Sequence, residues 1–198
     1  MLVLGIDPGT ANTGYGVVRS DRPGLATLVE CGVIRTRPRD PLAARLGEIY
    51  DGVTQLIGRH RPDALSVEDV FYARNVRTTV VLGHARGVIL LAGQQAHLDI
   101  HEFPPAEIKK AVVGSGGATK EQVQFMLTRL LRLKAVPQPS DAADGVAAAL
   151  AYVMSSRLPT IASARETSDR VDRGRRDAAV ARAMARLAAR RGDDDQAP

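Results

Sequence analysis

The sequence predicts an α/β fold, a five-stranded mixed sheet with helices on its faces, and three observations predict it. The opening 36 residues read as three strands separated only by short polar turns, which makes an antiparallel meander. From residue 41 onward, segments with apolar residues at helical spacing alternate with two short apolar strands, and that alternation adds strands through helical crossovers. The chain has 198 residues, 44% of them hydrophobic, enough for one well-buried domain.

Taken in order, "LVLGID" (2–7), "TGYGVVRS" (13–20) and "LATLVECGVIRT" (25–36) are the meander strands. Residues 41–60 place Leu42, Leu46, Ile49, Val53 and Ile57 at helical spacing. "ALSVEDV" (64–70) is a fourth strand after the turn signal at Pro62, and residues 75–97 form a long helix despite their β-branched content. "LDIHEF" (98–103) is the fifth strand, and Pro104 and Pro105 begin a short helix that the glycine-rich "GSGGAT" ends. Two further helices are expected: 119–133, with Thr119 as its N-cap, and 140–158. These elements make residues 1–160 one domain. Residues 161–198 are expected to be a basic, Ala/Arg-rich tail, disordered or loosely helical, because from Ser163 onward only Val171, Val180, Met184 and Leu187 could form an apolar stripe.

Composition narrows the function classes. A net charge of +5 and a pI near 9.8 favour a polyanionic partner such as nucleic acid. Cys31 is the only cysteine, which excludes a disulfide framework and a cysteine-rich zinc site and leaves it as a small hydrophobe in a strand. The most apolar helical stretch is interrupted by His84 and Arg86, so no membrane span is expected, and the N-terminus lacks the pattern of a signal peptide. The expected location is the cytoplasm.

The carboxylates carry the chemistry. Asp7 ends the first strand, Glu68 lies near the end of the fourth, and Asp141 and Asp144 share one face of the last helix at i and i+3. If strands one and four are parallel neighbours, Asp7 and Glu68 meet at one sheet edge, and the last helix brings two more acids over them. Acids packed so closely need cations, and two Mg²⁺ or Mn²⁺ ions about 4 Å apart would supply them for phosphodiester hydrolysis. Each acid also has an ordinary structural role. An isolated "SD" at a helix start most often caps it, so Asp141 reads first as a cap, and Asp144 as a first-turn acid favoured by the helix dipole. Glu68 and Asp69 point to opposite faces, and Glu68 is taken as the site residue with Asp69 outward or at the strand end.

"GIDPGTANTGYGVV", "VEDVFYARN", "GHARGVILLA", "VVGSGGATKEQV" and "SDAADGVAAAL", in that order, resemble the successive motifs of the RuvC Holliday-junction resolvases, over residues 1 to about 158. The resemblance implies a ribonuclease H-like three-layer fold, a homodimer, and metal-dependent paired nicking of four-way junction DNA. It implies catalytic and metal-binding roles for Asp7, Glu68, Asp141 and Asp144, with Mg²⁺ or Mn²⁺ as cofactor, two ions per site. It further implies a preference for short T-rich sites and a partnership with the RuvAB branch-migration complex. Lys120 resembles the family's lysine near the scissile phosphate, and Lys109 a second lysine of that region. Phe71 resembles the aromatic that stacks on a base at the opened crossover, with Tyr72, Arg74, Asn75 and Arg77 extending the DNA-facing segment. The helix over 75–97 resembles the family's dimer helix. Nothing is transferred to the tail.

Competing readings make different demands. A phosphate loop needs Gly-Lys-Ser/Thr, but Thr119 precedes Lys120 and Glu121 follows it. An actin-like ATPase, suggested by "GIDPGT", needs a second similar domain, and 198 residues leave no room for one. A general ribonuclease H-like nuclease stays open. A junction-binding protein without activity would not need acids at all four positions. Gly9, Gly14 and Gly16 are expected to keep bulk away from the site or the DNA.

Overall fold

A computed structural model describes residues 1–22, 25–69 and 76–156. The expected tail (161–198) and the segment holding Phe71, Tyr72, Arg74 and Asn75 lie outside the described residues. The elements run β1 (Leu2–Asp7), β2 (Asn12–Arg22), β3 (Leu25–Arg35), α1 (Leu42–His60), β4 (Ala64–Glu68), α2 (Val76–Gln95), β5 (Asp99–Phe103), α3 (Pro105–Val113), α4 (Lys120–Leu130) and α5 (Ser140–Ser155). Met1–Arg157 form one compact unit.

The sheet has the order β3-β2-β1-β4-β5. The meander pairs antiparallel, whereas β1–β4 and β4–β5 are parallel. Strand alternation divides the core between two faces. Val3, Val18 and Ala64 pack with α3, α4 and α5, while Leu4, Ile6, Val17, Leu65 and Val67 pack with α1 and α2. The result is three layers. On α1 the buried stripe is Ile49, Val53 and Leu56, with Leu46 and Ile57 packed at its margin, so Leu56 replaces an expected outer position. Cys31 is half-buried in β3 against the core, and burial raises its thiol pKa. Among the described residues, no helix is long and apolar enough to cross a membrane.

Local signals start and stop the helices near the site. Pro105 opens α3, and Gly114, at φ 91°, closes it in a conformation that favours glycine. Thr119 caps α4 as expected: its hydroxyl accepts from the Gln122 amide, and the Gln122 side chain accepts from the Thr119 amide at 2.8 Å. At α5 the cap is Pro139, with no side-chain cap bond. Asp141 sits inside the first turn, which corrects its reading as a cap and leaves its carboxylate for another use.

α5 packs almost wholly buried, and its alanines are only half of the reason. The sheet meets it through glycines. A Cβ on Gly5 would stand 2.2 Å from the Ala149 nitrogen, one on Gly14 1.8 Å from the Asp141 carbonyl oxygen, and one on Gly16 2.5 Å from the Val146 Cα. A Cβ on Gly145 would reach the Tyr15 Cα at 2.5 Å. Gly16 therefore admits the backbone of α5 at Val146, which corrects the expectation for it, whereas Gly14 clears the backbone of Asp141 at the site itself. Gly9 clears the Asn12 carbonyl within its own turn.

Candidate active site

Parity places the acids. Val3 and Gly5 of β1 face α5, so Asp7, two residues on, faces it too. On β4, Ala64 and Ser66 face α5, and the Ser66 hydroxyl donates to the Ala148 carbonyl at 2.7 Å. Glu68 continues that row. The parallel register sets Ile6 opposite Val67, so Asp7 and Glu68 follow side by side at the carboxyl ends of neighbouring strands. Asp69 turns the other way and pairs with Arg86 of α2 at 3.3 Å, and Arg86 also binds Glu102 of β5.

The glycine seam then lowers α5 until its first two turns meet this edge. Carboxylate oxygens of Asp7, Asp141 and Asp144 lie within 4.8 Å of one another. Glu68 is outside that group but lines the same cleft, of about 220 Å³, together with Asp7, Asp144, Lys109 and Lys120. Pro105, Ile108, Val123 and Ala147 complete the cleft as an apolar wall. That wall was missed in the sequence. Its signal was present in the helical spacing of 105, 108 and 109 on α3 and of 120 and 123 on α4, yet nothing local aims those faces at Asp7.

The electrostatics follow from this crowding. Burial, then the charges of Glu68, Asp144 and Asp141, raise the Asp7 pKa to about 8 against the opposing field of Lys120. Burial and Asp144 raise Glu68 to about 7, opposed by Lys109 and Lys120. Lys120 Nζ donates to Asp144 Oδ2 at 2.7 Å. Partial burial works against its ammonium, but that bond and the fields of Asp144, Asp141 and Asp7 outweigh it and hold its pKa above the usual lysine value. Lys120 and Pro105 open their helices and Asp141 lies in the first turn of α5, so the positive ends of three helix dipoles converge on the cleft. Hard carboxylate oxygens crowded in this way suit a divalent cation. A phosphate would meet the lysines and the helix ends.

Of the expected DNA-facing residues, Lys109 and Lys120 line this cleft. Arg77 is exposed in the first turn of α2 and is not among the cleft residues.

Comparison with known proteins supports the same family. The family described as "Crossover junction endodeoxyribonuclease RuvC" matches residues 3–152. The crossover junction endodeoxyribonuclease RuvC of Pelotomaculum thermopropionicum is 47% identical over 152 residues, covering 77% of this chain and 92% of its own. The T. thermophilus RuvC solved in complex with a Holliday junction substrate is 36% identical, with a TM-score of 0.76, over 80% of this chain and 96% of that one. The yeast mitochondrial Holliday junction resolvase Ydc2, 12% identical with a TM-score of 0.55 over 77% of this chain and 78% of its own, shares the fold. This chain belongs to the RuvC family of crossover junction endodeoxyribonucleases.

Proposed function

We propose that the chain resolves Holliday junctions by paired, metal-dependent nicking. The observation that carries this reading is the three-acid group of Asp7, Asp141 and Asp144 beside Glu68, in a cleft with two lysines, on a chain of the RuvC family. Asp7, Asp141 and Asp144 would hold one Mg²⁺ or Mn²⁺, and Glu68 with Asp7 a second. When bound, such ions activate water for attack on phosphorus and stabilise the leaving 3′ oxygen. The chain's own residues do the rest. Lys120, already paired with Asp144, presents its charge to the non-bridging oxygens of the scissile phosphate, and Lys109 does so from α3. Pro105, Ile108 and Val123 keep one side of the cleft apolar, which strengthens each of these interactions. Phe71, Tyr72, Arg74, Asn75 and Arg77 complete the DNA-facing segment in this reading, with residues 1–160 as the catalytic domain and 161–198 as an appended tail.

Two symmetric nicks require two sites, and α2 supports a homodimer. Val80 and Leu91 on this helix are 53% and 49% exposed, and the space above Gly83 and Gly87 is open. The family resemblance adds the RuvAB complex as partner and the cytoplasm as the place of action.

The test incubates the protein with labelled four-way junction or linear duplex, in EDTA, Mg²⁺ or Mn²⁺. Nicks paired across the junction, only with metal, are expected. Asp7→Asn lowers nicking by about a thousandfold or more while junction affinity persists. Equal cutting of both DNAs makes the chain a general nuclease, nucleotide turnover without cutting revives the ATPase, and loss of junction binding by a folded Asp7→Asn sinks the assignment.

A further inference from the structure

The turn between β3 and α1 carries a charge that the cleft does not account for. Residues 35–45 hold Arg35, Arg37, Arg39 and Arg45 against a single acid, Asp40. Arg35, Arg37 and Arg39 are exposed, and no ion pair among the described residues engages them. Exposed arginines left unpaired on a fixed backbone can meet an anion from outside without giving up an internal partner.

The backbone is fixed, and it is fixed to the active edge. The row Val33–Gly14–Asp7 runs straight across the sheet, and Arg35, opposite Asn12, lies two residues beyond it on the side where β1 ends. Two strand spacings sideways and two residues along place Arg35 about 12 Å from Asp7 by backbone. Beyond it, the buried Thr36 donates its amide to the Ala11 carbonyl at 3.0 Å and its hydroxyl to the Thr10 carbonyl. Arg45 Nε donates to that same hydroxyl at 3.0 Å. The Asp40 amide closes the turn on the Arg37 carbonyl at 3.0 Å. The loop that leaves Asp7 and the turn that bears the arginines are thus one hydrogen-bonded unit.

Resting on the resolvase reading above, we infer that Arg35, Arg37 and Arg39 form a rim that binds the phosphates of the duplex arm leaving the cleft on the β3 side. Each strand of a duplex carries one charge per about 3.4 Å of axis, so about 12 Å puts the rim three or four phosphates from the scissile bond. Such contacts hold and orient an arm without reading its sequence. They serve a junction arm and a linear duplex alike.

Fluorescence anisotropy of the full chain in EDTA, with junction and with linear duplex across a salt series, tests this. Arg37→Ala/Arg39→Ala should lower the slope of log K against log salt by about 2, since each phosphate contact contributes about 0.9. Affinity for both DNAs should fall on the order of tenfold or more near 0.1 M salt. Arg37→Lys/Arg39→Lys should restore most of the slope, because a point charge suffices for a phosphate. An unchanged slope, a loss confined to the junction, or a loss that lysine does not rescue overturns the rim. Wild-type protein that cuts junction and duplex equally overturns the resolvase reading instead, and leaves the slope comparison standing.

Discussion

On one face of the sheet, helix meets strand backbone to backbone; on the other, side chain to side chain. The α5 face is built from Gly5, Gly14 and Gly16 against Gly145 and a run of alanines. The α1/α2 face is built from Leu4, Ile6, Leu65 and Val67 interdigitating with Ile49, Val53 and Ile89. Asp7, Glu68, Asp141 and Asp144 all belong to the close face. The difference teaches where positional accuracy is held. Bulky side chains can repack around a lost methyl group, whereas backbones separated by no side chain have nothing to give.

The largest expected effect breaks the close face. Gly145→Ala sets a methyl against the Tyr15 backbone and lifts the start of α5 away from Asp7. It should cost about 3 kcal/mol or more in urea unfolding. In the protein that still folds, nicking should fall about a hundredfold, as the three-acid group opens. Wild-type nicking by that variant would show that the seam packs the sheet without setting the site.

The next effect concerns charge on the same face. The folded chain holds a proton on Asp7 up to a pH of about 8, while an ordinary aspartate releases it near 3.8. Between those values the folded state binds more protons than the unfolded state, so metal-free stability falls as pH rises and levels off above about 8. Glu68 adds to the fall up to about 7. Melting curves in EDTA should show this decline, and Mg²⁺ should reverse most of it by supplying the missing positive charge. Asp7→Asn removes the burden, so at pH 9 in EDTA the variant should be the more stable protein, by on the order of a few kcal/mol. A variant less stable than wild type at pH 9 would mean that the Asp7 carboxylate is not under that strain.

The smallest effect probes the opposite face. Ile89→Val removes one methylene from the α2 packing and should cost about 1 kcal/mol, with nicking unchanged in rate. A change in nicking here would show that the bulky face also sets the site.

Much of this was legible in the sequence. Strand and helix patterns located all ten elements, Thr119 was placed as the N-cap of α4, and strand alternation separated Glu68 from Asp69. Asp7 and Glu68 end their strands and Asp141 opens α5, whereas Asp144, expected as a first-turn acid, lies one turn further along the helix. Their roles could not be separated: Asp141 read as a cap, since cap and ligand look alike until the first turn of α5 is seen to start at Ser140. The Lys120–Asp144 pair, the apolar wall and the arginine turn bound to the loop after Asp7 were equally invisible.

By itself, then, the sequence determined which residues alternate, where helices start and which side chains could bear charge, because those properties repeat over a few neighbouring residues. Only the tertiary structure decided which face each glycine serves and how closely α5 lies. Those depend on contacts such as Ser66 with Ala148, 82 residues apart in the chain. A glycine that admits a distant backbone carries no local mark distinguishing it from one that merely turns the chain.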